Sequence, residues 1–127
     1  MGGVTYDTGA LVAAERNNRQ MWALRCGLPG GGGHPHGACR GAGAKLARRS
    51  RQASLSRLLR MCDTEPMSEN LAKDVGVLAG KSGHDDIVDV SVVEGAVRRG
   101  DAVVTSNATH IRTIAEAAGA RLRIESI

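Results

Sequence analysis

A chain of 127 residues has room for one hydrophobic core and little beyond it, so its length predicts a single domain over residues 1–127. Apolar residues make up 42% of the chain but aromatics only 2%, with no Phe, which leaves Val, Ile, Leu, Ala and Met to build the core. The net charge of +4 is unevenly spread, because residues 16–62 carry ten Lys or Arg and no acid; subtracting those ten leaves −6 for the remainder.

Such a basic stretch suits nucleic-acid binding, where Lys and Arg replace condensed counterions on phosphate, although a solvated basic segment has the same composition. No window approaches the ~18 apolar residues of a membrane span. The start lacks the basic opening and unbroken apolar run of a signal peptide, so a cytoplasmic chain with no membrane contact is expected. Cys26, Cys39 and Cys62 are odd in number and show no CxxC spacing, which argues for reduced thiols rather than a disulfide framework or a zinc ribbon.

In chain order, residues 4–7 form a short β-prone run that ends on Asp7, and residues 8–15 read as a helix. A second helix is expected over residues 19–26, before Gly27 ends the pattern. From Gly27 to Gly43, eight of 17 residues are Gly, with Pro29 and Pro35 among them and little to bury; residues 27–49 read as an irregular Gly/Arg-rich segment, unpacked over 27–45. Order resumes near Arg51, where Leu55, Leu58, Leu59 and Cys62 form an apolar stripe on a basic helix. A short strand is expected at residues 64–66. Ser68 is placed to cap a helix through Leu71, Val75 and Leu78, stopped within residues 80–83. The turn His84-Asp85-Asp86 opens a helix over residues 87–99, and residues 102–105 are a buried-type strand. A helix over residues 109–118 and a strand over residues 122–124 complete the chain. Strands alternating with helices predict an α/β fold in three layers, with a central, mostly parallel sheet covered by helices on both faces.

Ligands in open α/β sheets bind outside the carboxyl ends of the strands. Asp7, the Thr105-Ser106-Asn107 turn and the Asp86/Asp89 pair are the polar groups to weigh there. Asp86 and Asp89 lie three apart, on one helical face, where two carboxylates repel unless a divalent cation is shared. Oxygen ligands without His or Cys suit Mg²⁺ or Mn²⁺, and the matching chemistry is phosphodiester hydrolysis by a metal-activated water. The ordinary alternative for Asp7 and for Asp86 is a helix N-cap. Asp89, inside a helix between Val88 and Val90 and away from the N-cap position, is the least easily explained structurally.

The opening Tyr6-Asp7-Thr8-Gly9-Ala10-Leu11 resembles the start of PIN-domain ribonucleases of the VapC toxin family. The stretch Asp86-Ile87-Val88-Asp89-Val90-Ser91-Val92-Val93, followed by Arg98-Arg99-Gly100-Asp101-Ala102-Val103-Val104-Thr105-Ser106-Asn107, is similar to that family's C-terminal half. The similarity covers residues 4–26 and 51–127, and the order and separation of individually weak motifs give it its specificity. It implies a PIN-like fold and an Mg²⁺- or Mn²⁺-dependent endoribonuclease toxin acting on RNA. It also implies a VapB-like antitoxin as partner, and a homodimer. Asp7 and Asp89 match the family's metal-site and catalytic positions, Asp86 is an auxiliary metal ligand, and Asn107 stands where a polar or acidic residue approaches the metal. His110 stands where many relatives have another acid, and its ordinary reading is a surface histidine at a helix start.

The family draws its second acidic or amide ligand from a middle helix, and no carboxylate occurs there in this chain. His34, His36 and Cys39 lack the companion ligand pair of a zinc site, and the glycine run lacks the Gly-Lys-Ser/Thr ending of a P-loop. The composition of the segment is that of a GC-rich gene read out of frame. One coding of residues 43–49, GGC GCA AAG CTG GCG CGG CGG, read one base later gives Ala-Gln-Ser-Trp-Arg-Gly, a peptide resembling the family's middle helix. A natural flexible insertion is the alternative. Reduced nuclease activity is expected, because Asp7 and Asp89 alone make a thin carboxylate set. A non-catalytic PIN-like module that binds antitoxin or RNA is the second reading, and a receiver or nucleotide-binding α/β domain the third. A receiver needs further acids near its first strand and a Lys after its last, which this sequence lacks.

Overall fold

The structure is a computed structural model that describes residues 3–16, 18–27, 36–37 and 53–127. Strand β1 (Val4–Tyr6) pairs in parallel with β4 (Ala102–Thr105), which pairs in parallel with β5 (Ile124–Ser126) on its other side. The register sets Tyr6 beside Val104 and Thr105 beside Ser126. A second, two-stranded parallel pair joins β2 (His36–Gly37) to β3 (Asp63–Thr64). Six helices accompany these strands among the described residues: α1 (Thr8–Glu15), α2 (Arg19–Gly27), α3 (Ala53–Leu59), α4 (Glu69–Ser82), α5 (Ile87–Arg99) and α6 (Ala108–Ala117). The α/β class with a small, parallel three-stranded sheet is as expected.

Central strand β4 explains the layering. Successive strand side chains point to opposite faces. Val103 accordingly joins a core made by Leu71, Val75 and Leu78 of α4, Val90, Val92, Val93 and Ala96 of α5, and Ile111 and Ile114 of α6. Val104 joins another, made by Tyr6, Ala10, Leu11 and Ala14 of β1 and α1, Met21 of α2, and Leu55 and Leu58 of α3. Continuous burial on both faces is why this strand reads as an unbroken Ala-Val-Val-Thr run rather than an alternating one.

Helix ends follow their caps. Ser68 Oγ accepts from Leu71 N at 3.1 Å to start α4. Gly83 and Gly100 stop α4 and α5 in the left-handed region, at φ 65° and 70°, which a residue without Cβ enters without strain.

At the N-terminal ends of the strands, buried Asp101 ties β1 to β4. Its carboxylate accepts from Gly3 N (2.6 Å), Thr5 Oγ1 (2.9 Å) and Arg99 Nε (3.0 Å). Glu65 then pairs with both Arg99 and Arg98.

Three expectations change. The last strand is Ile124–Ser126 rather than 122–124, because the ladder with β4 runs from Val103 N donating to Arg123 O (2.8 Å) to Ile127 N donating to Thr105 O (3.0 Å). The strand expected at 64–66 is Asp63–Thr64, and Pro66 has no N–H to give a ladder. Most of the segment expected to be unpacked lies outside the described residues. His36 and Gly37 belong to it and nevertheless pair with Asp63 and Thr64, since a ladder uses main-chain groups that Gly supplies as well as any residue. No helix among the described residues is long and apolar enough to cross a membrane.

Candidate functional site

Parallel pairing of β1 with β4 brings the residues that follow each strand to one edge of the sheet. Asp7 lies directly after β1 and is 4% exposed. Its Oδ1 accepts from Ala10 N at 2.7 Å, which makes it the N-cap of α1, and its Oδ2 accepts from the buried Thr105 hydroxyl at the end of β4. The cap and site readings of Asp7 therefore fall on one side chain. Thr105 Oγ1 in turn accepts from Asn107 N at 2.9 Å. Gly9 lets the two corners meet, because a Cβ there would overlap the Ser106 side chain.

The first turns of α5 and α6 supply the other half. Asp89, on the first turn of α5, is near enough to Asp7 for its charge to act on that carboxyl. Burial raises the Asp7 pKa above its ordinary value and the Asp89 charge raises it further, while hydrogen bonds from Thr105, Ala10 and Gly9 oppose the shift. Asp89 Oδ2 also lies 3.4 Å from His84 Nε2 and 3.9 Å from His110 Nδ1. The two imidazoles stand edge to face with ring centroids 5.0 Å apart. Asn107 occupies the N-cap position of α6 without making a side-chain cap; its Nδ2 lies 2.8 Å from His110 Nδ1 instead.

Asp7, Asp89 and Asn107 thus share one edge, joined by Thr105 and the two histidines. Asp86 takes the capping place that was its ordinary alternative. It is the exposed N-cap of α5, and its Oδ1 accepts from Val88 N (2.9 Å) and Asp89 N (3.3 Å). His84 was not among the residues singled out from sequence. Its signal was a histidine in the turn before a helix that carries Asp89, with no periodicity to mark it.

A concavity lined by Thr8, Gly9, Val12, Ala13, Arg16, Asn18, Ser106 and Ile127 opens alongside, with Arg16 as the cation among these residues. Asp7 and Asp89 bear on one another as like charges, which a shared divalent cation would relieve, and both Asp7 oxygens already accept hydrogen bonds from Ala10 and Thr105. No family model matches the sequence, and comparison with curated proteins gives no match.

Proposed function

We propose that this chain is a metal-dependent endoribonuclease of the PIN-domain, VapC type, the toxin of a toxin–antitoxin pair. The observation that carries this reading is that Asp7, at the carboxyl end of β1, lies near enough to Asp89 for the two charges to act on one another, with Asn107 following β4 and tied to Thr105. The motif order of the sequence supplies the family. Mg²⁺ or Mn²⁺ would be held by Asp7 and Asp89, with Asn107 offering an uncharged oxygen. When bound, such an ion supplies a lowered pKa for water and charge neutralisation at phosphate.

The chain's own residues do the positioning. Ala10 N and Thr105 fix the Asp7 carboxylate from two sides, and the capped first turn of α5 fixes Asp89. Arg16 and Asn18, in the adjoining concavity, offer a cation and an amide to an RNA backbone. A VapB-like antitoxin and a homodimer follow from the same resemblance. Activity is expected to be low, because two carboxylates make a thin anionic set for phosphodiester chemistry and Asn107 adds no charge.

Cleavage of single-stranded RNA tests the proposal. Cutting should need Mg²⁺ or Mn²⁺ and fall to background in Asp7→Asn and in Asp89→Asn. Cleavage that survives chelation, or survives both substitutions, would reject it. The second reading, a non-catalytic module that holds RNA or antitoxin, draws support from the prior engagement of both Asp7 oxygens and from exposed Arg57 and Arg60 on and just beyond α3. RNA bound but left intact under every metal is the outcome that favours it.

A further inference from the structure

We propose that His84, Asp89 and His110 form a binding site for a borderline divalent ion of the Zn²⁺ class, distinct in ligand chemistry from the hard-ion set of Asp7 and Asp89. The three donor atoms lie within 4.8 Å of one another. Two of the separations, 3.4 Å from His84 Nε2 and 3.9 Å from His110 Nδ1 to the same Asp89 oxygen, approach the ~3.3 Å edge of a tetrahedron with bonds of about 2.0–2.1 Å. Small side-chain rotations close the rest, and the His110 side chain, 53% exposed, has room to make them.

Three features favour an ion over a plain hydrogen-bonded cluster. His84 and Asp89 come from the turn before α5 and its first turn, and His110 from the first turn of α6, so tertiary packing brings the third ligand to the other two. Two imidazole nitrogens lie within 4 Å of one oxygen, Asp89 Oδ2, at 3.4 and 3.9 Å. Asn107 leaves its capping position unused, and its Nδ2 lies 2.8 Å from His110 Nδ1. Turning the Asn107 amide would release Nδ1 and offer a carbonyl oxygen as a fourth ligand.

Ligand type decides the class of ion. Imidazole nitrogens suit Zn²⁺ and its late first-row neighbours, whereas Mg²⁺ prefers oxygen and keeps its waters. The carboxylate neutralises part of the charge, and a position left open by three protein ligands is typical of exchangeable zinc sites.

The test uses the full chain stripped of metal, with no RNA present. Calorimetric titration should show one Zn²⁺ bound, no comparable Mg²⁺ binding at these histidines, and Co²⁺ giving the visible bands of a four-coordinate ion. His84→Gln and His110→Gln should each weaken Zn²⁺ by more than about 100-fold, beyond what loss of an outer-shell partner costs. In the unaltered chain, which has only four histidines, the imidazole resonances of both His84 and His110 should shift on adding Zn²⁺. That measurement does not depend on any variant folding. Full Zn²⁺ binding by the His84→Gln/His110→Gln double variant, or unmoved resonances for these two rings, would overturn the proposal and place any bound zinc on other cysteines and histidines. The nuclease reading stands or falls separately. A chain that binds Zn²⁺ here but never cuts RNA rejects only the nuclease, and a chain that cuts without Zn²⁺ at these rings rejects only this site.

Discussion

Burial and the nearby Asp89 charge make the Asp7 carboxylate costly to ionise, and burial is the largest influence on it; the hydrogen bonds from Thr105, Ala10 and Gly9 only partly offset it. The folded chain therefore holds this proton more tightly than the unfolded chain does. The stabilisation that results is complete below the unfolded value of about 3.8 and is lost as pH rises through the higher folded value. In metal-free buffer at neutral pH, Asp7→Asn should raise the thermal midpoint by roughly 3–6 °C, the response of a chain this size to ~1 kcal/mol. The gain should shrink as pH falls toward the ordinary carboxylate range, because the native Asp7 is then neutral too. A lowered midpoint at neutral pH would mean that the Ala10 and Thr105 bonds outweigh burial. Of the residues in this group, Asp7 was legible as the acid at a strand's carboxyl end and Asp89 through the resemblance, although its place in the first turn of α5 is one that acids commonly occupy. His110 was legible only as the residue standing where many relatives have another acid, and His84 not at all. Their meaning depends on two first turns meeting in space, and no spacing along the chain encodes that.

Strand β1 is only three residues long, and its ladder with β4 is correspondingly brief. Asp101 compensates by gripping both Gly3 N and Thr5 Oγ1 while holding Arg99. Asp101→Ala removes a buried acceptor of three donors and should cost about 3 kcal/mol, the low end for breaking a buried pair, because Arg99 keeps Glu65. Urea unfolding would measure it; a loss under ~1 kcal/mol would show that packing alone sets the β1 register. Helix starts and stops were the most legible elements, since Ser68, Asp86, Gly83 and Gly100 act through local hydrogen bonds or local backbone freedom. The final strand was displaced by two residues because its bounds are set by its β4 partner. Leu122 suited a strand by composition and instead packs, partly buried, against the core.

Across the whole molecule, the two cores divide the chain unequally. One draws on residues 71–115, a continuous stretch with strong helical periodicity, and that half could be read almost element by element. The other combines β1, α1 and α2 with α3 across residues 27–52, and there composition gave no element to place. If those residues are an out-of-frame replacement of a site-bearing helix, exchanging 27–49 for the alternate-frame peptide should raise single-stranded RNA cleavage at least about tenfold, a change of ~1.4 kcal/mol in barrier. Asp89→Asn in the exchanged chain should abolish it. Equal rates before and after the exchange would identify the segment as a tolerated insertion.

The bond between Thr105 and Asp7 spans 98 residues of sequence, and Asp89 reaches Asp7 across a similar length. Chains are made N-terminus first, and their domains fold as units. Asp7 therefore leaves the ribosome long before β4 exists to receive it. Until then its carboxylate is an ordinary, hydrated side chain. The site comes into being only once β4 has emerged, so products truncated before residue 105 are without it.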